Sequence, residues 1–238
     1  MKHYAYDKHF NMVDGDGNEY LLTIHHDDDP ESPREWYTVC TMVCWHRNYA
    51  LGDSHNYDGV EDFFQALCKE VLGKGYYETA ELYWQDMYKM LQESGLILIK
   101  PINMYEHVGI TVSTSDGYPY NDRWDAGCVG FIYLAKQHAF DSFSGMTEEN
   151  WMERADECIE NEMQVYDCYL RGDVYGFTLE KKVHYRNETT CPHCGEVIKV
   201  DEYDDYEEVD SCWGFYGYCL EENGILDNIS ADVKFEEE

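Results

Sequence analysis

Basic residues are scarce in this chain. Lys and Arg number 17 against 49 Asp and Glu, giving a formal net charge of −32. A surface of that sign repels DNA, RNA and the anionic face of a membrane, and it speeds encounter with basic surfaces. Long apolar runs are missing too. No stretch approaches the roughly 18 residues a transmembrane helix needs, so nothing is expected to span a membrane. The opening Met1-Lys2-His3-Tyr4-Ala5-Tyr6-Asp7 has no apolar signal region. Also absent are a Gly-rich phosphate loop followed by Lys, a GxSxG, an HExxH and a basic-aromatic surface for nucleic acid. These gaps leave the common phosphate-binding, serine-hydrolase and zinc-protease readings without a motif.

What is present supports a folded protein. The 238 residues are 44% hydrophobic, with 22 Tyr, 9 Phe and 6 Trp, and disordered acidic chains are poor in aromatics. The length suits one large domain or one domain with an appendage. Ten cysteines in a chain of this size, with no signal region, are expected to be mostly reduced and buried in a cytoplasmic protein. Cys68 and Cys158 fall on apolar helix faces, where a thiol acts as a small hydrophobe. Solubility or salt adaptation also accounts for the charge, although neither the cysteines nor the aromatic load supports salt adaptation.

Patterning gives the elements. Strands are predicted over 3–10 and 18–25, around the Asp-Gly turn chemistry of Asp14-Gly15-Asp16-Gly17-Asn18. A calcium loop there fails, because Glu19 and His25 stand where Gly and Glu are needed. After an acidic loop over 26–35, Tyr37 to Trp45 reads as a strand. Phe63, Phe64, Leu67, Cys68, Val71 and Leu72 repeat at helical spacing up to Gly73 and Gly75. A second helix is predicted from about Glu78 to Glu93, closed by Ser94-Gly95. Strands follow at 96–105, 108–114 and 128–134, the first continuously apolar and therefore central, with a polar loop over 115–127. A helix over about 147–170 carries the stripe Trp151, Met152, Ala155, Ile159, Met163, Tyr166 and Leu170. Val174 to Tyr185 reads as a strand, followed by a cysteine hairpin, an acidic run, an aromatic-glycine segment and a short final strand.

This order predicts an α+β fold, a mostly antiparallel sheet packed with about three helices and a small C-terminal cysteine (zinc-knuckle) hairpin. The expected division is a core domain over 1–180, a cysteine hairpin with an acidic and aromatic segment over 181–220 integrated with it, and a C-terminal strand with an acidic tail over 221–238.

Three kinds of segment are candidates for function. Cys191-Pro192-His193-Cys194-Gly195 has the spacing of a zinc knuckle, in which backbone amides point at two thiolates. Half a tetrahedral site remains to be supplied by Cys212, Cys219, His184 or His193. Cys212 is the expected third ligand, lying across the hairpin, and structural zinc is the expected cofactor. The second kind is acidic. Asp201, Glu202, Asp204, Asp205, Glu207 and Glu208 stand among tyrosines, Asp27, Asp28, Asp29 and Glu31 form another cluster, and Glu153, Asp156, Glu157 and Glu160 line the long helix. Carboxylates one helical turn apart, about 5.4 Å, are spaced on the order of DNA phosphates, about 3.4 Å per charge along one strand. The third kind is a pocket with acid–base capacity, assembled from His46, Arg47, Trp124, Asp125 and Trp213. A structure must supply its geometry.

Four strings carry a resemblance. Asp29-Pro30-Glu31-Ser32-Pro33-Arg34-Glu35-Trp36, Thr41-Met42-Val43-Cys44-Trp45-His46-Arg47, the run from Trp124 to Tyr133, and Asp210-Ser211-Cys212-Trp213-Gly214-Phe215-Tyr216-Gly217 are similar to acidic proteins carried by phages, prophages and plasmids of gut and related Gram-positive bacteria. The likeness runs from about residue 20 to 220. It brings no catalytic residue, and the cysteine pair at 191 and 194 looks like an optional insertion there. The resemblance implies a setting, counter-defence, in which an acidic protein blocks restriction or CRISPR machinery by occupying a basic groove. Three expectations follow: an inhibitor of a nuclease or Cas effector acting partly as a nucleic-acid mimic; an enzyme or small-ligand binder using the pocket; and an accessory interaction protein stapled by zinc.

Overall fold

The computed structural model describes residues 8–107, 109–115, 126–229 and 233–235. Its elements in chain order are β1 (Lys8–Asp14), β2 (Glu19–His26), a 3-10 turn (Pro33–Glu35), β3 (Thr41–Cys44), α1 (Val60–Leu72), α2 (Tyr76–Thr79), α3 (Trp84–Glu93), β4 (Ile97–Glu106), β5 (Ile110–Ser113), β6 (Ala126–Ala135), α4 (Lys136–Ser142), α5 (Trp151–Arg171), β7 (Val174–Thr190), β8 (Val197–Tyr216), α6 (Ile225–Asn228) and β9 (Val233–Phe235). The class is α+β, with two antiparallel sheets. Residues 3–7 of the first expected strand, and residues 116–125 of the expected polar loop, lie outside the described residues. Among the described residues no helix is long and apolar enough to cross a membrane.

The chain folds as two compact units, residues 1–31 with 172–238 and residues 32–171. The division expected at 180 and 220 is therefore corrected. Residue 180 falls inside β7, and residue 220 lies within the first unit. The physical reason is long-range pairing. β2 and β7 bond directly, from Tyr20 opposite Lys181 to His26 opposite Tyr175, so the chain leaves this sheet after β2 and returns to it at β7.

The inserted unit holds the sheet β3-β6-β4-β5. Its strands alternate between two cores, as a period of two requires. Val43, Ile97, Ile99 and Phe131 pack on Phe63, Phe64, Leu67 and Cys68 of α1 and on Met87 and Leu91 of α3. Met42, Ile132 and Leu134 pack on Trp151, Ala155, Ile159, Met163 and Tyr166 of α5. Each fully buried Phe or Leu contributes about 1.5–3 kcal/mol. The apolar run at Leu98 is central, since β4 lies between β6 and β5. The helix ends match their stop signals. Gly73 takes the left-handed conformation (φ 70°) and its N–H donates to the Lys69 carbonyl.

Two expected elements are shorter than their patterns. The helix predicted from Glu78 divides into α2 and α3, because the chain turns between them, with the Leu82 N–H on the Thr79 carbonyl and Tyr83 extended. The strand predicted over 37–45 is only β3. The N–H groups of Val39 and Cys40 donate to the Glu162 carboxylate, at 2.8 and 3.0 Å, and so are taken from any ladder.

The other unit holds the sheet β8-β7-β2-β1-β9 over a core of Met12, Leu22, Ile24, Phe177, Leu179, Phe215, Ile225 and Ile229. The turn between β1 and β2 is held by Asp14, whose carboxylate accepts from the N–H groups of Asp16 and Asn18. The expected small cysteine hairpin is instead a ladder of 17- and 20-residue strands, with the acidic run inside β8.

Candidate functional site

β7 and β8 outrun their own sheet. β2 covers β7 only as far as Lys181, and from Lys182 to Thr190 the two strands pair, among the described residues, with each other alone. Nine strand residues span about 30 Å. Both faces of this stem are largely exposed, so no core holds it. Cross-strand pairs do. Side chains directly opposite share a face, and that register sorts the charges.

One face is compensated. His184 meets Asp204 at 2.8 Å, Lys182 reaches Glu19 at 2.6 Å and Asp204 at 3.6 Å, and Arg186 reaches Glu188 and Glu202 at 2.9 and 3.6 Å. The His184 hydrogen bond holds the Asp204 carboxyl below its ordinary value. The other face carries Asp201, Tyr203, Asp205 and Glu207 opposite Asn187, Tyr185, Val183 and Lys181. Tyr185 and Tyr203 stack at 5.3 Å between centroids. The Tyr185 hydroxyl donates to Glu207, which pushes the phenol up to about 12. Lys181 places its ammonium over the Tyr20 ring, and Lys199 meets Asp201 at 2.7 Å. Among the described residues no ion pair engages Asp205 or Glu207.

The remaining expected contact residues divide in the same way. Glu208, on the compensated face, accepts from the Ser211 hydroxyl at 2.9 Å. Asp27 accepts from the Asp29 N–H, Asp28 lies 3.4 Å from His26, and the Glu31 carbonyl accepts from the Tyr216 hydroxyl. On α5, Asp156 and Glu160 both grip Lys100, at 2.5 and 2.8 Å, and Glu160 also takes the Thr114 hydroxyl. Glu153 and Glu157 are exposed. The helix is thus not a uniform anionic face.

The hairpin turn carries the cysteine pair. The Cys191 N–H donates to the Glu196 carbonyl and the Gly195 N–H to the Cys191 carbonyl, with Gly195 at φ 75°. The N–H groups of His193 and Cys194 and the Cys194 thiol bond to the Cys191 sulfur and draw its pKa down. The CxxC segment is thus a tight turn at the tip of the hairpin. Cys212, however, is opposite Phe177 and is corrected as a ligand: fifteen residues of β8 separate it from Val197, about 50 Å along a strand. The sequence gives proximity across a hairpin, but only the register gives its length.

A second cysteine group lies in the inserted unit. Cys40, Cys158 and Glu162 bring their ligand atoms within 4.8 Å of one another, a spacing that can hold a metal ion. The Cys40 thiol donates to Cys158 at 3.5 Å, which raises Cys40 and lowers Cys158. Beside them is a recess of about 220 Å³ lined by Phe143, Arg154, Glu157, Cys158, Asn161 and Glu162. Both Glu162 oxygens already accept hydrogen bonds, one from the Arg34 guanidinium at 2.7 Å and the other from Val39 and Cys40. Arg34 also grips Asp53 with two nitrogens, at 2.7 and 2.8 Å. This hub was not anticipated. Its signal was Glu162 itself, a charged residue beside Ile159 and Met163 on the apolar stripe of α5.

His46 and Arg47 do line a surface recess of about 510 Å³, with Trp45, Tyr49, Asp53 and His55. Its carboxylate is committed, since Asp53 is the bidentate partner of Arg34 and also accepts from the Met42 N–H. His46 stacks on Tyr49 at 5.0 Å. Trp124 and Asp125 lie outside the described residues. Trp213 belongs to the hairpin unit, where its ring covers Gly176 and stacks on His25 at 5.6 Å.

No family model, no curated protein and no solved structure matches this chain.

Proposed function

We propose that this protein is an inhibitor from a mobile genetic element that occupies the basic nucleic-acid-binding surface of a bacterial nuclease or Cas effector, in part as a nucleic-acid mimic. One observation carries the reading. A stem about 30 Å long presents Asp205 and Glu207 beside the stacked Tyr185 and Tyr203, on the face whose opposite side spends its carboxylates on His184, Lys182 and Arg186. Carboxylates that make no ion pair among the described residues stand in for phosphates. Rigid tyrosine faces add contact area at small entropy cost. A net charge of −32 speeds the encounter.

The pocket reading has less behind it, because the Asp53 carboxylate of that recess is held by Arg34 and is not available as a base. A structural zinc accompanies the proposal, since thiolates select zinc over hard cations. The place of action is the cytoplasm of the bacterial host, where such effectors meet nucleic acid.

The test is direct binding of the purified protein to purified restriction nucleases and Cas effectors at about 0.1 M salt, where charges are screened beyond about 10 Å. Affinity is expected to fall as salt rises, and double-stranded DNA is expected to compete for the same surface. Binding that ignores both salt and DNA, or no binding across the panel, overturns the reading.

A further inference from the structure

The hairpin turn differs from its stem in three respects. The first is charge. From Asp201 to Asp210 there are seven acidic residues and no Lys or Arg, whereas from Asn187 to Val200 there are only Glu188 and Glu196 against Lys199. The second is polarity. Val197, Ile198 and Val200 are 47%, 64% and 42% exposed, an apolar group at the turn of an otherwise charged ladder. The third is the thiol pair. Cys194 is exposed and Cys191 half-buried, and backbone bonds from the Gly195 N–H to the Cys191 carbonyl and from the Cys191 N–H to the Glu196 carbonyl close the turn that carries them.

Zinc in a closed structural site takes four ligands in a tetrahedron, with Zn–S about 2.3 Å. This turn supplies two thiolates. Among the described residues no third His, Cys, Asp or Glu comes within ligand range of both sulfurs, and Cys212 is about 50 Å away along the strand. The Glu196 carboxylate reaches Cys194 at 3.8 Å but closes no three-ligand group with both sulfurs, so the intrachain site is incomplete in this structure.

We infer that the Cys191–Cys194 turn is half of a zinc site completed by the same turn of a second copy of this chain, so that one ion joins two hairpins tip to tip through four thiolates. The partner is identified by what the site lacks. A second copy brings two further thiolates and a matching apolar rim of Val197, Ile198 and Val200, with little charge to repel. The geometry also answers the repulsion between two strongly acidic chains. Each stem is about 30 Å long, so the five-stranded sheets stand beyond the Debye length of about 8 Å, and the stem carboxylates nearest the turn, Asp201 and Glu202, are paired with Lys199 and Arg186. No redox step is involved: two thiols on each chain lose their protons to solvent and bind the ion.

The inference is independent of the proposed target. It is tested on the full chain purified under reductant, by zinc content and by mass from light scattering. The expected result is one zinc per two chains in a dimer that falls to monomer when a chelator removes the ion. Cys191→Ser and Cys194→Ser are expected to lose both zinc and dimer with an unchanged circular dichroism spectrum, while Cys212→Ser and Cys40→Ser keep both. One zinc per monomer, a dimer that survives Cys191→Ser, zinc that is lost with Cys40 instead, or a metal-free monomer would each overturn it. Effector binding by the Cys191→Ser monomer separates this outcome from the fate of the inhibitor reading.

Discussion

Arg34 and Glu162, 128 positions apart in the chain, close an ion pair at 2.7 Å with the Arg34 side chain only 4% exposed. Four of the five guanidinium N–H donors are engaged. Asp53 takes Nε and Nη2, the Cys40 carbonyl shares Nη2, and Glu162 takes Nη1. Burial alone would lower the Arg34 pKa, and the hydrogen bonds and charges of Asp53 and Glu162 more than reverse it. Asp53 and Glu162 go on to hold the N–H groups of Met42, Val39 and Cys40. One arginine thus fixes the approach to β3 against α5.

Removing that arginine leaves two partly buried carboxylates facing each other. Arg34→Ala is expected to cost about 3–5 kcal/mol, the range for breaking a buried pair from one side. Urea denaturation followed by circular dichroism measures it. Arg34→Lys should recover only a minor part, because one ammonium cannot serve Asp53 twice and Glu162 as well. A loss below about 1 kcal/mol for Arg34→Ala, the value of an exposed pair, would show that the hub is solvated.

The β1–β2 turn gives a pH dependence with a definite sign. Hydrogen bonds from the Asn18 side chain and backbone draw Asp14 down to about 2. A carboxylate whose pKa is lower folded than unfolded stabilises the fold above its unfolded value, about 3.9. That contribution is lost as pH falls through about 2. An NMR titration of the Asp14 carboxyl should show the depressed midpoint. Asn18→Ala should move it up toward the ordinary aspartate value.

Gly176 lies under the Trp213 ring. A Cβ built there would come within 2.3 Å of the ring, which also stacks on His25 at 5.6 Å. Gly176→Val is therefore expected to expel Trp213 and to destabilise by about 1–3 kcal/mol, the usual cost of overpacking. In a Trp213→Ala background the same substitution should be nearly neutral. Equal costs in both backgrounds, read from thermal melts, would mean that the strand backbone and not the indole sets the requirement.

The two faces of the stem should behave differently toward a cationic partner. Asp205→Lys with Glu207→Lys is expected to weaken effector binding at least tenfold at about 0.1 M salt, a range where exposed charges still interact. Tyr203→Ala should cost about 1–2 kcal/mol of binding, as a packed aromatic contact does. Asp156→Asn on α5, whose carboxylate is occupied by Lys100, should change binding by less than about 0.5 kcal/mol. The reverse ranking in a surface-binding assay would move the contact face from the hairpin to the helix.

Much of the fold was legible where neighbours along the chain carry the pattern. The α5 stripe from Trp151 to Tyr166, the Gly73 stop of α1 and the turn at Asp14 need only local periodicity and turn chemistry. The acidic run was not legible as a strand. Asp and Glu are poor strand formers, and what holds them in β8 is a partner strand bearing Lys182, His184 and Arg186. Cys212 was misplaced for the same reason: the distance from Cys191 is set by a ladder whose length the cysteine spacing does not encode.

By itself, the sequence determined the sign of the surface, the class of fold, the helix faces and the turn at Gly195, since each depends on composition or on residues within a few positions of one another. Tertiary structure alone decided which carboxylates are spent and which remain. Asp204 and Asp205 are adjacent in the chain, yet one is bound to His184 and the other has no ion pair among the described residues. The reason is the pleat: successive side chains point to opposite faces, and pairing with β7 puts His184 opposite Asp204 and Val183 opposite Asp205.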